Sequence, residues 1–141
     1  MNLRLCSLAL ALFLAVHGSA AAQDFGTFSM DVPQGWIASV GEGGAVAVIA
    51  PKNEAAVTIA MEKLEGLSPE EGVRVFAKEL GGSEPQKTAD DEYAFHFTRN
   101  GVENRAFFRA RKERFMLITV SDDTGKHQQT IDAMLRSLTE K

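Results

Sequence analysis

Alternating apolar and polar residues predict strands along the first third of the domain. Segments 25–32, 36–40 and 56–64 alternate, and 45–50 is a short continuous apolar run typical of a buried strand. Proline- and glycine-containing turn sequences separate these segments. We therefore expect four consecutive strands arranged as an antiparallel meander.

A change in period from two to about 3.6 residues predicts the first helix. Ser68 is a favourable capping residue, Pro69 suits the first helical position, and Glu71 stands three residues after the cap. Spacings of three and four residues then give a buried stripe of Val73, Phe76, Ala77 and Leu80. The glycine pair at 81–82 predicts the end of this helix.

Two short turns set the register of the next three predicted strands. Asn100-Gly101 predicts a tight hairpin between 93–99 and 102–111, and Lys112-Glu113 leads into 114–121. Counting outward from these turns assigns eight residues to one face of the sheet: Tyr93, Phe95, Phe97, Ala106, Phe108, Ala110, Phe115 and Leu117. The other face receives His96, Arg105, Phe107, Arg109, Met116, Ile118 and Val120. Both faces hold large apolar side chains, so both are expected to be covered.

A second apolar stripe predicts a helix near the end of the chain. Its capping candidates are Asp122, Asp123 and Thr124. Its stripe comprises Ile131, Met134, Leu135 and Leu138. Two helices and about seven strands predict an α+β fold, in which helices pack on an antiparallel sheet. The pattern leaves open which face each helix covers.

The first 22 residues have the features of a secretory signal peptide. Arg4 supplies a positive charge, the twelve residues 5–16 are apolar, and small residues at 19–22 suit cleavage after Ala22. The apolar run is shorter than the ~20 residues needed to span a bilayer. We expect residues 23–141 to form a single exported domain, periplasmic or secreted. The only cysteine, Cys6, lies in the predicted signal, so this domain has no thiol chemistry.

Charge is unevenly distributed in the expected mature domain. The full chain has a formal net charge of −4, and loss of its one signal-peptide arginine makes it −5. Six basic residues nevertheless fall between Arg99 and Arg114, against two glutamates. The negative total argues against nucleic-acid binding. The local basic stretch is the candidate docking surface.

The order of elements and one short motif resemble a known group of proteins. The motif is Val32-Pro33-Gln34-Gly35-Trp36, preceded by an aromatic strand. With the meander, the capped helix, the hairpins and the last helix, it resembles the PsbP/DcrB-like superfamily over residues 25–140. Relatives include a photosystem extrinsic protein, a nuclear Ran-binding protein and small bacterial envelope proteins. The resemblance implies an α/β/α sandwich, mostly non-enzymatic members that bind proteins or act as assembly factors, and no catalytic residue to transfer.

The remaining candidate motifs favour structural interpretations, and no cofactor or metal is expected. The glycine-rich segment 41–44 precedes a strand, whereas a phosphate loop precedes a helix, so it predicts a hairpin turn. His96 and His127 lack a third ligand at zinc-binding spacing and are expected at the surface. Acidic residues at 90–92 and 122–123 suit turns and caps.

The leading functional hypothesis is a non-catalytic envelope domain that binds a protein partner through one strand face. The residues proposed for this face are Arg105, Phe107, Arg109, Arg111, Met116 and Ile118. In the structural alternative, a helix covers the apolar half of the face, and the arginine stems lie over it and pair with acids of that helix.

Two further hypotheses stay open. The first is a carrier of a small apolar or anionic ligand, with a pocket between sheet and helix lined by Phe107, Met116 and Ile118 and an arginine at its mouth. The second is an enzyme of unrecognised type, which requires a histidine beside Asp90, Asp91 or Asp123 in a cleft.

Overall fold

The computed structural model describes residues 21–122 and 124–141. The predicted signal peptide therefore lies outside the described residues, apart from its last two positions. The helices are α1, Pro69–Glu79, and α2, Gln128–Arg136. The strands are β1 Ala21–Asp24, β2 Phe28–Val32, β3 Ile37–Val40, β4 Val46–Ile49, β5 Ala55–Lys63, β6 Gln86–Ala89, β7 Glu92–Arg99, β8 Val102–Arg111, β9 Arg114–Asp122 and β10 Thr139–Glu140. Within the described residues, neither helix is long and apolar enough to cross a membrane.

Seven strands form one antiparallel sheet in the order β3-β4-β5-β9-β8-β7-β6. Arg99 pairs with Val102 and Arg111 pairs with Arg114, which confirms both predicted two-residue turns. The two predicted sets of facing residues are confirmed by the same register. We call the face that carries Phe95 and Phe108 the α1 face and the opposite face, which carries Met116, the α2 face.

The two helices cover opposite faces of the sheet, each over its own core. On the α1 face, Val73 and Ala77 of α1 pack with the aromatic cluster that includes Phe108. On the α2 face, Ile131 and Met134 of α2 pack with the core around Met116. The predicted α+β fold is confirmed, and the structure resolves which helix covers which face.

Strand β2 departs from the predicted meander. It pairs with β1 and β10 in a separate three-stranded sheet, so the expectation that it neighbours β3 is wrong. Its side chains Phe28 and Met30 are fully buried in the α2-side core. The small sheet therefore covers the main sheet beside α2 instead of extending it. The seventh strand of the main sheet is β6, an exposed polar strand that has no hydrophobic alternation to predict it.

The first helix begins as predicted and the second begins later. Ser68 Oγ accepts a hydrogen bond from the Glu71 backbone N–H at 3.2 Å, which confirms the first cap. The residue that precedes α2 is His127, so the expectation that Thr124 caps this helix is wrong. Thr124 Oγ1 instead accepts from the Lys126 N–H within the preceding turn. Asp122 Oδ2 accepts from the N–H of His127 itself at 3.1 Å, before the helix begins, so it does not cap the helix either. The third candidate, Asp123, lies outside the described residues.

Candidate functional site

Helix α2 divides the predicted docking face into two separate recesses. The basic row, Arg105, Phe107, Arg109 and Arg111, follows every second position of β8 on the α2 face. Phe107 is half-buried against the α2-side core. Arg105 and Arg109 lie near opposite ends of α2, because Arg105 lines a recess with Gln128 at the start of the helix and Arg109 lines another with Leu135 near its end.

The C-terminal half of the basic row is already paired within the protein. Arg109 Nε lies 2.8 Å from Glu92 Oε1, and Arg111 Nε lies 2.9 Å from Glu140 Oε2. The structural alternative expected acids from the covering helix, but Glu92 belongs to β7 and Glu140 to β10. The Glu140 side chain is only 18% exposed, so its pair with Arg111 is partly shielded and ties the C-terminal strand to the main sheet.

Arg105 lies in the recess at the start of α2. This open cleft has a volume of about 390 Å³. Its lining residues are His96, Glu103, Arg105, Val120, Asp122, Gly125 and Gln128. The Arg105 guanidinium lies 5.9 Å from the centre of the Phe107 ring, a cation–π distance. No carboxylate within 21–122 or 124–141 forms an ion pair with it.

The recess at the end of α2 is a smaller and more apolar pocket of about 170 Å³. Leu135 and Leu138 line it from the helix side, and Phe107, Ile118 and Arg109 line it from the sheet side. This is the location that the carrier hypothesis predicts for a pocket with an arginine at its mouth.

Met116 and Ile118 lie beneath the surface. Met116 is fully buried and Ile118 is 5% exposed, both in the α2-side core. Met116 does not line the pocket at the end of α2, whereas Ile118 does. Of the six predicted site residues, these two are therefore core residues of the sheet, and the other four are at least partly exposed.

His127 connects three segments that are far apart in the sequence. Its Nε2 lies 2.8 Å from Glu54 Oε2, and its ring meets Trp36 edge-on with 5.5 Å between ring centres. The His127 side chain is only 16% exposed, so the expectation of a surface histidine is wrong. The sequence gives no signal for this contact, since 73 positions separate the histidine from Glu54.

The Val-Pro-Gln-Gly-Trp motif forms a turn that places Trp36 against His127. The Trp36 N–H donates to the Pro33 carbonyl at 3.1 Å, and Gly35 has a φ of 82°. Glycine at this position fits a type II turn, which needs positive φ at its third residue. Trp36 then packs on the α2-side core as well as on His127.

Glu54→Gln is expected to destabilise the protein near neutral pH and to have little effect in acid. The hydrogen bond with His127, assisted by the Lys126 charge, holds the pKa of Glu54 below its usual range. Such a carboxyl stabilises the fold above its unfolded pKa and loses that contribution as the pH falls through its folded pKa. The stabilising contribution of Glu54 should therefore begin to disappear below about pH 4. The difference in thermal unfolding midpoint between wild type and Glu54→Gln, measured between pH 3 and 7, tests this expectation.

The control is Glu42→Gln, in an exposed turn, which should leave the unfolding midpoint unchanged throughout this range. A midpoint difference between wild type and Glu54→Gln that is the same at every pH would contradict the assignment.

The remaining candidate motifs have structural roles in the described part of the chain. Segment 41–44 connects the antiparallel strands β3 and β4, which confirms the predicted hairpin turn. His96 Nδ1 lies 3.5 Å from Glu103 Oε1, and both side chains are well exposed. The described residues contain no group of three His, Cys, Asp or Glu side chains placed to bind a metal ion.

Comparison with protein-family models and with curated proteins found no match. Solved structures do match. The solution structure of cyanobacterial PsbP (CyanoP) from Synechocystis sp. PCC 6803 aligns with a TM-score of 0.60 and 11% identity, covering 87% of this chain and 93% of CyanoP. A crystal structure from Bacteroides thetaiotaomicron aligns with a TM-score of 0.55 and 16% identity, covering 89% of this chain and 49% of that one. This chain thus spans about half of the Bacteroides protein.

These alignments define an α+β protein with the PsbP-like fold. The fold predicted from the element order and the Val-Pro-Gln-Gly-Trp motif is confirmed.

Proposed function

We propose that this protein is an exported, non-catalytic binding domain of the cell envelope, of the assembly-factor type, which docks a protein partner at the Arg105 end of the basic row. The observation that carries the proposal is Arg105 itself, which stands over Phe107 at an open cleft. The PsbP-like fold supports it, since the resemblance to that superfamily implies mostly non-enzymatic proteins that bind other proteins.

The geometry favours Arg105 over its neighbours as the contact residue. Arg109 and Arg111 are engaged by Glu92 and Glu140, so an incoming carboxylate would have to displace an internal partner. Arg105 instead stacks on Phe107 and lines a cleft of about 390 Å³, which is large enough for one or two side chains of a partner. Arginine and aromatic side chains are enriched among residues that dominate binding energy. The partner is accordingly expected to insert an acidic side chain here.

The test compares two charge reversals of the same kind. Arg105→Glu is expected to reduce partner capture from a detergent-solubilised envelope extract by at least about tenfold. Arg99→Glu is the matched control, because Arg99 also stands over a phenylalanine, Phe97, at 5.7 Å, but on β7 and the α1 face. Capture by the control should equal wild type. Equal capture by folded Arg105→Glu, with folding checked by circular dichroism, would overturn the proposal.

A small-ligand carrier is the second candidate, and the pocket at the end of α2 favours it. Its volume of about 170 Å³ suits only a small molecule, below the usual range of ligand sites. Native mass spectrometry of protein purified gently from its own envelope tests this function. A bound mass that disappears in Leu135→Trp, which fills the pocket, would support the carrier; a bare mass in both would remove it.

A further inference from the structure

The main sheet ends in two strands of very different character. The edge strand β6 is polar, carries Lys87, and has a register shift between Lys87 and Ala89. The other edge, β3, is regular and uncharged, with Ile37 70% and Val40 66% exposed. Proteins usually protect a free edge with lysine, proline or a bulge, because unpaired strand groups bind other strands. One edge of this sheet has such protection and the other does not.

Hydrogen-bond alternation shows which backbone groups of β3 have no strand partner among residues 21–122 and 124–141. Gly41 pairs with Ala45 and donates to its carbonyl at 2.7 Å, in the register that also pairs Ser39 with Ala47. In an antiparallel ladder, hydrogen-bonded and non-hydrogen-bonded pairs alternate. Residues 37, 39 and 41 therefore face β4, and the backbone N–H and C=O groups of Ala38 and Val40 point away from the sheet. A second extended strand beside β3 would form hydrogen bonds with all four of these N–H and C=O groups.

We propose that β3 pairs with β3 of a second copy of this chain, antiparallel and around a two-fold axis. The outward-facing groups fix the register: Ala38 pairs with Val40 of the second copy and Val40 with its Ala38. Each hydrogen-bonded pair exchanges two bonds, so the edge gains about four. The two main sheets then become one continuous sheet across the dimer.

A second copy fits this edge because the side chains are complementary to themselves in that register. Val40 lies beside the small Ala38 of the other chain on the α2 face. On the α1 face, Ile37 lies beside Gly41, which has no side chain to obstruct it and an extended backbone with φ −93° and ψ −174°. Ser39 meets its own copy on the axis. No charged residue occurs from 37 to 41, so two chains of the same net charge approach without local repulsion.

The first test measures assembly state. The exported protein, studied by sedimentation velocity over a concentration series, is expected to form a dimer. Val40→Lys places like charges across the axis and should give a monomer at every concentration. The control is Gln86→Lys at the protected edge, which should dimerise like wild type. A wild-type monomer throughout, or a Val40→Lys protein that dimerises fully, would overturn the proposal.

The second test reports the register directly. In the proposed pairing the two Ser39 Cα atoms are about 4.5 Å apart, which is within disulfide range. Ser39→Cys is expected to form a covalent dimer under mild oxidation, whereas the exposed Ser83→Cys should not. A dimer in sedimentation without this crosslink means that another surface associates, which also overturns the proposal. Because three strands separate β3 from β8, Arg105→Glu should dimerise normally, so this inference and the proposed function fail independently.

Discussion

Phe108→Ala is expected to lower the free energy of unfolding by about 3–5 kcal/mol, the usual cost of removing a large buried aromatic side chain. Phe108 is 1% exposed and stacks on Phe115, with 5.2 Å between ring centres. Helix α1 approaches this ring at Gly72, where a Cβ would lie only 3.2 Å from the Phe108 ring. The ring thus fills the space directly beneath the helix, and its loss leaves a cavity that the rigid sheet cannot close.

Urea unfolding followed by circular dichroism measures this change. Phe107→Ala is the matched control, since Phe107 is the next residue on the same strand but is only half-buried on the opposite face. Phe107→Ala should lower the free energy of unfolding by clearly less than Phe108→Ala does. Where Phe108→Ala fails to fold, Phe108→Leu should fold with a smaller loss, because leucine keeps much of the buried volume. A Phe107→Ala loss equal to or larger than that of Phe108→Ala would contradict the assignment of the α1-side core.

Met116→Ala is expected to cost about 2–5 kcal/mol of stability and to leave partner capture unchanged in the folded protein. Met116 is one of the six residues predicted for docking, but it is fully buried in the α2-side core. Burial prevents it from contacting a docked protein, so its effect must act through packing. Urea unfolding gives the stability, and capture is measured well below the unfolding transition.

Arg105→Glu should have the opposite effects from Met116→Ala on stability and on partner capture. Arg105 is half-buried at the edge of the open cleft and stands over Phe107, so its reversal should reduce capture with a much smaller loss of stability than Met116→Ala. Loss of capture by folded Met116→Ala, with stability unchanged, would instead assign Met116 to the contact surface. The pair of variants therefore separates the core members of the predicted face from its partly exposed members.

Local features account for the parts of the fold that were predicted. The Asn100-Gly101 and Lys112-Glu113 turns bring neighbouring segments together, so counting outward from them gave the observed register and both faces of three strands. Ser68 and the apolar stripe that follows define α1 in the same way. These signals act over a few residues, where backbone preference and periodic burial dominate.

The contacts that were missed join distant segments. Glu54 meets His127 across 73 positions, and β10 reaches β2 and Arg111 from the end of the chain. Short polar elements such as β6 and β10 carry too little apolar alternation to be predicted, because their pairing depends on the strand that they meet.

The sequence by itself determined the α+β class, the two helices and the faces of the hairpin strands, since each follows from local turn chemistry and the period of apolar residues. Only the tertiary structure decided that β2 leaves the main sheet, that α2 divides the basic row, and that Arg109 and Arg111 are paired while Arg105 stands at an open cleft. The physical reason is that burial and ion pairing depend on which segments meet in space. A strand with alternating apolar residues can either pair at the edge of a sheet or pack over one of its faces, and its own sequence does not distinguish the two.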